Sequence, residues 1–269
     1  MKLPLRVLSD LHLGHKVSRI TDAARLRPLL AGMGTVVFNG DTWQELAKPF
    51  RERSSHMLDE LRWLCAEEDV ETMFLPGNHD PSFAGSGFIE LAGGRIVITH
   101  GDALLHAGAP WKREIIQAPE RLRELWNNRP AAMRDAAERI ALARDISREL
   151  QSLEYPTGRS LWQRVWDAVT PPERALWMLV SWCGQADAGA DFCERYFPDA
   201  ELLIVGHYHQ AGCWTRRGRT IVNTGSFLNP GRAWCVDWDG EFLAWRRIDE
   251  SAEHFRLEAP KHTWRIGPM

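Results

Sequence analysis

Five short apolar runs in this chain each end on a cluster of carboxylate, imidazole or amide side chains. Arg6-Val7-Leu8-Ser9 leads into Asp10-Leu11-His12, and Thr35-Val36-Val37-Phe38 leads into Asn39-Gly40-Asp41. Thr72-Met73-Phe74-Leu75 is broken by Pro76 and followed by Gly77-Asn78-His79-Asp80. Arg95-Ile96-Val97-Ile98-Thr99 ends at His100-Gly101-Asp102, and Leu202-Leu203-Ile204-Val205 precedes Gly206-His207-Tyr208-His209. Short β-branched and apolar runs bounded by Gly, Pro and Asn read as buried strands. Between them, residues 51–67 place Met57, Leu58, Leu61, Leu64 and Cys65 on one helical face. Strands alternating with helices imply right-handed crossovers and a largely parallel sheet. The carboxyl ends of such strands converge on one crevice, where ligands bind.

Singly, these strand ends say little: a Gly-Asp is usually a turn and an Asp-x-His usually a polar strand end. Five in succession, each directly after an apolar strand, are not explained by turn chemistry. Asp10 and His12 are two residues apart, as are His207 and His209, so in extended chain each pair shares a face. Carboxylates, imidazoles and one amide oxygen suit Mn²⁺, Fe, Zn²⁺ or Co²⁺ better than Ca²⁺ or copper(I).

The middle of the chain has a different texture. Pro119–Asn128, Pro130–Leu153, Arg159–Val169 and Pro171–Cys183 all read as helices, with proline in the first turn of three of them. Between His100 and His207 lie 106 residues. The expected organisation is therefore an α/β core over 1–102 and 201–257, a helical insertion or cap over 103–200, and a loose tail over 258–269. Asp239-Gly240, between two apolar runs, signals a hairpin in the second half of the core.

The ordered set Asp-x-His, Gly-Asp, Gly-Asn-His-Asp, His-Gly and Gly-His-x-His resembles the signature of the calcineurin-like metallophosphoesterases, across residues 10–209. The resemblance implies a four-layer α/β/β/α sandwich with two divalent metal ions between the sheets. Asp10, His12, Asp41 and His209 would hold one ion, and Asp41, Asn78, His100 and His207 the other, with Asp41 bridging. His79 matches the family's non-ligand acid, and Asp80 the carboxylate that orients it. Manganese is the first expectation for the metal, with iron, zinc, cobalt or nickel as the others. The implied reaction is hydrolysis of a phosphate ester or diphosphate bond by a hydroxide shared between the ions.

Asp-Leu-His-Leu at 10–13 and His-Gly-Asp-Ala-Leu at 100–104, followed by helices, are similar to the bacterial UDP-2,3-diacylglucosamine pyrophosphatase branch. That branch carries Arg where His79 stands here. The resemblance makes a lipid-linked substrate one alternative to a small phosphorylated molecule; a catalytically silent binding module on the same fold is another.

Composition narrows the partners. A net charge of -3 argues against a bulk basic field for nucleic acid. Five cysteines without a C-x-x-C spacing argue against a disulfide framework. With no apolar leader and no run of about twenty apolar residues, the expected location is the cytoplasm or the periphery of a membrane. Of thirteen Trp, six lie in the insertion, and Trp162 and Trp166 share a helical face. These two, with Lys112 and Arg113, are the candidate substrate-binding residues, set against the blander reading of cap packing and solvated charge.

Overall fold

The computed structural model describes residues 1–150, 172–251 and 253–267. Its first sheet is built on three parallel strands, β1 (Leu5–Leu8), β2 (Thr35–Asn39) and β3 (Glu71–Leu75). Beyond β1 it continues antiparallel through β9 (Trp234–Trp238), β10 (Phe242–Glu250) and β11 (Phe255–Arg265). The second sheet has a parallel centre too: β5 (Ile96–Thr99), β6 (Leu202–Val205) and β8 (Arg219–Asn223). It is flanked by antiparallel β4 (Phe88–Leu91) and β7 (Gly212–Arg216).

The period of two along each strand sorts side chains into separate cores. Val37, Ile96, Ile98, Leu202, Ile204 and Val222 pack between the sheets. Their neighbours point outward: Val36 and Phe38 meet Met57, Leu61 and Leu64 of α2 (Arg51–Glu67), which covers the first sheet with α1 (Arg27–Leu30). Val97, Leu203, Val205 and Ile221 pack with Ile140 and Ala143 of α5 (Ala136–Leu150) and with Phe192 and Cys193 of α6 (Pro172–Tyr196). The result is the expected α/β/β/α order, with two mixed sheets in place of one largely parallel sheet. A one-residue slip of β6 would exchange its faces between two cores.

Two boundaries differ from the sequence reading. Residues 258–265 are not a loose tail: they belong to β11, paired with β10 through bulges after Trp245 and Arg246. Most of their side chains are exposed, which is why hydropathy alone misses an edge strand held by its backbone. Nor are the helices of 103–200 all a cap, since α5 and α6 form the outer layer on the second sheet. A separate cluster around Ile115, Leu125, Leu142 and Ile146 ties α3 (Arg113–Gln117) and α4 (Pro119–Asn127) to α5. The helix expected over Pro130–Leu153 begins as a 3-10 turn at Pro130–Met133 before α5. That expected over Arg159–Val169 lies outside the described residues, as do Trp162 and Trp166. No helix among the described residues is long and apolar enough to cross a membrane.

Candidate metal centre

The carboxyl ends of β1, β2, β3, β5 and β6 meet at the same end of the sandwich, and the turns after them bend sharply inward. Asp10, His12, Asp41, His207 and His209 all have positive φ, between 47° and 66°. Five of the eight non-glycine residues with positive φ in the described chain are thus gathered here. Left-handed backbone outside glycine costs on the order of 1–3 kcal/mol per residue and persists only where the surroundings enforce it. The loops also approach too closely for side chains at two glycines. A Cβ on Gly206 would lie 2.1 Å from Asp10 Oδ2, and one on Gly40 2.4 Å from His100 Nδ1.

One group of donors is already convergent. Ligand atoms of Asp10, His12, Asp41 and His209 all lie within 4.8 Å of one another. His209 Nε2 is 3.2 Å from Asp10 Oδ1, and His12 Nε2 is 3.6 Å from Asp41 Oδ2. Atoms sharing one ion at bonds of about 2.1 Å must lie within roughly 4.2 Å of each other, so small adjustments complete the shell. A second group meets it at Asp41: His100 Nε2 is 3.4 Å from Asp41 Oδ1 and 3.4 Å from Asn78 Oδ1. The His207 ring is 5.1 Å from that of His100. His100 Nδ1 donates to the carbonyl of Asn39, which turns Nε2 toward Asp41 and Asn78 as the nitrogen whose proton an ion would displace. His207 Nε2 faces the Gly108 carbonyl at 3.3 Å, leaving Nδ1 for an ion. By the chemistry of these donors, the first group fits a divalent cation, and the second offers donors of the same kind beside it.

Charge is strongly polarised in the centre. Burial, then the neighbouring His79, holds His12 well below the usual imidazole range, and burial also lowers His207. Burial pushes His79 down to about 3. For His100 burial is outweighed by the Asp41 carboxylate, so it is raised; Asp41 itself is held low by His79 and His100 despite its burial.

Asp80 is adjacent to this centre in a role other than the one the resemblance implies. Its carboxylate accepts four backbone N–H bonds, from Asp41, Thr42, Trp43 and Gly77, and so locks the loop after β2 to the loop after β3. The side chain that meets the His79 ring is Gln44, whose Oε1 is 3.0 Å from His79 Nδ1. The other end of the same amide is 2.7 Å from His12 Nδ1. Gln44 carries no charge and stands in no spaced pattern, so nothing in the sequence marked it out.

The rim brings in further residues. His15, 6.3 Å ring to ring from His12, is lowered to about 4 by burial and by Lys16 and Lys112. Lys112 is itself lowered by burial, and its ammonium lies in the field of Asp41. Arg113 opens α3 beside it. Trp111 sets its ring 5.1 Å from that of His207, and Arg174 of α6 donates to its carbonyl. Beyond Trp111, a cleft of about 540 Å³ runs between the 105–110 loop, α3, α4 and α6, with Leu105, Pro110, Ile116, Leu122, Trp177 and Val180 in its walls.

No protein-family model matches the chain, and no curated protein matches it. Among solved structures it is similar to a dimetal phosphatase from Danio rerio, at 12% identity over 96% of this chain and 99% of that one, with a TM-score of 0.48. It is also similar to Vps29 of Entamoeba histolytica complexed with Zn²⁺, at 14% identity over 98% and 100%, with a TM-score of 0.43. A third is a predicted phosphoesterase from Streptococcus pneumoniae, at 13% identity over 95% and 96%, with a TM-score of 0.34. Likeness at this level fixes neither chemistry nor partner.

Proposed function

We propose that this chain is a dinuclear metal-dependent phosphoesterase of the calcineurin-like kind, hydrolysing a phosphate ester or diphosphate bond. The observation that carries the reading is the sharing of Asp41 between two donor groups: Asp10, His12 and His209 on one side, Asn78 and His100 on the other. Asp10, His12, Asp41 and His209 would hold one ion, and Asp41, Asn78, His100 and His207 the second. Two such ions, when bound, supply Lewis-acid charge to a phosphoryl group and lower the pKa of water.

The chain's own groups supply the rest. Lys112, half-buried at the rim within the field of Asp41, would bind the anionic oxygens of the substrate and oppose their charge as phosphorus is attacked. His79 would present a ring N–H to the leaving oxygen. Burial holds the ring neutral at pH 7, so it would stabilise the leaving oxygen by a hydrogen bond, with water supplying the proton that oxygen takes up. Asp80 keeps the Asp41 loop in place.

A substrate with an apolar portion is supported by the cleft beside Trp111. Its volume lies within the range of about 300–1,000 Å³ that ligand pockets occupy, and its loop contributes Gly108, which meets His207. A lipid-linked diphosphate would place its charged group at the centre and its chain along α6. The test is a panel of monoester, diester, cyclic nucleotide and lipid-linked diphosphate offered to chelator-treated protein, then to protein reloaded with Mn²⁺. Hydrolysis should appear only after reloading. Undiminished turnover in the chelated protein would sink the proposal.

A further inference from the structure

Gln44 is buried without solvent contact, and its placement leaves it little freedom. Its backbone N–H donates to Ser54 Oγ at 2.8 Å, and that hydroxyl donates to the Leu13 carbonyl at 2.6 Å. The side-chain amide lies between two imidazoles and meets both through Nδ1, at 2.7 Å for His12 and 3.0 Å for His79. A primary amide has one donating end and one accepting end, and turning it by 180° exchanges them with no change in shape. Between two neutral rings the bonds then have only two consistent arrangements. If the amide N–H₂ faces His12, the His12 proton sits on Nε2, and His79, which must donate Nδ1–H to the amide oxygen, has a bare Nε2. If the oxygen faces His12, both rings reverse.

We propose that Gln44 forces opposite tautomers on His12 and His79, so that the ion-binding form of His12 is also the form in which His79 presents Nε2–H. This inference rests on His12 being a metal ligand, as the function proposed above requires. His12 Nε2 points among Asp41 Oδ2, Asp10 Oδ1 and His209 Nε2, at 3.6, 3.9 and 3.2 Å, so a bare nitrogen there is what an ion needs. The arrangement with a bare His12 Nε2 puts a proton on His79 Nε2, which lies on the same side of the centre, 3.9 Å from Asp41 Oδ2. Metal occupancy at one histidine thereby fixes the donor at the other, through an uncharged side chain that touches neither metal nor substrate. Gln44 is a positioning residue in this scheme.

Long-range ¹H–¹⁵N NMR of histidine-labelled protein, recorded at pH 7.5 before and after addition of Zn²⁺, reads both tautomers directly. The expected spectra show opposite tautomers for the two rings at every stage, with Nδ1–H on His12 and Nε2–H on His79 once Zn²⁺ is bound. Both rings in one tautomer, or Nδ1–H on His79 in the zinc form, overturns the coupling. Gln44→Glu offers acceptors to both rings and should move the His79 proton to Nδ1 while bound zinc is retained. Turnover of an alkyl ester should then fall about 100-fold, the scale of a lost preorganised hydrogen-bond donor to the developing oxyanion, with an aryl ester of good leaving group falling far less. An equal fall for both esters also counts against the coupling. Should zinc-loaded wild-type protein hydrolyse nothing while the rings stay opposite, the phosphoesterase reading fails and the coupling stands.

Discussion

The metal centre and the apolar cleft share the 105–112 segment as a wall, yet they are made in opposite ways. The centre draws its side chains from strand ends as distant in sequence as Asp10 and His209 and fixes them with strained backbone and buried hydrogen bonds. The cleft is walled by a loop and by helices that offer mostly apolar side chains, and part of that surface stays open: Trp177 and Val180 remain 45% and 49% exposed. Geometry within the centre is therefore specified atom by atom. In the cleft only size and polarity are specified. Reaction class should depend on the first and substrate choice on the second, and substitutions can separate the two.

The largest effect belongs to Asp41, shared by both donor groups. Asp41→Asn removes the charge that opposes two cations, while its amide oxygen can still accept the His79 backbone N–H that Asp41 Oδ1 accepts at 2.8 Å, so the loss reads charge rather than loop support. Both metals should be lost on dialysis, measured by elemental analysis, with turnover down by at least ~10⁴-fold, the scale expected when metal catalysis is removed. His79→Ala is the control from the same centre. It should keep two metals and lose about 10²–10⁴-fold in kcat; loss of metal instead would show His79 to be a ligand.

Acid should strike the centre before the cleft. His79 and His15 have folded pKa values of about 3 and 4, depressed below the unfolded value near 6.5 by burial. Below pH 6.5 the unfolded chain takes up protons that these folded rings refuse, so stability falls as pH falls toward 4. His100 does not offset this: its pKa is raised, so its contribution is complete below the unfolded value and is lost only at higher pH. Asp41, depressed, acts below that window, while the buried rings of His12 and His207, also held low, add to the loss. Asp80 opposes it: burial raises its carboxyl to about 8, so the folded chain takes up that proton first and gains stability as pH falls. Over 2.5 pH units each buried ring accounts for at most about 3 kcal/mol, and half-exposed His15 for less. The melting temperature of metal-free protein should drop from pH 7 to pH 4; a flat profile would mean that the rings are solvated.

The same contrast sets what was legible in the sequence. That Asp10, Asp41, Asn78, His100, His207 and His209 meet at one end of the sandwich was legible because each lies just after an apolar strand, and strand ends in such a fold have one place to go. Glycines 40 and 206 belong to those blocks for the steric reason that neighbouring ligands occupy the space of a Cβ. Gln44 could not be read, being uncharged and reached through a loop. The role expected of Asp80 went astray because a carboxylate beside a histidine in sequence suggests a pair, whereas the turn points it back at four amides. β11 was missed since backbone pairing, not apolar alternation, holds most of it. The cleft had no spacing signature: its walls come from Leu105 to Leu122 and from Trp177 to Gly184, two helical stretches whose meeting depends on tertiary packing.

The smallest effect, and the most diagnostic of substrate, is in that cleft. Val180 lines it from α6 and meets none of the candidate ligands, so Val180→Asp should leave metal content and the turnover of a methyl phosphodiester unchanged. A substrate with a long alkyl chain would have to bury methylenes against a carboxylate. Each methylene in an apolar pocket is worth about 1–3 kcal/mol at most, so losing the register of one or two should raise KM for the long-chain substrate by roughly 10- to 100-fold, with kcat little altered. Because uniform binding changes KM and transition-state stabilisation changes kcat, this pattern assigns Val180 to the chain-binding wall. An equal loss on the methyl and long-chain substrates would instead make the wall part of the packing that supports Trp111 beside His207, and the division between centre and cleft would then dissolve.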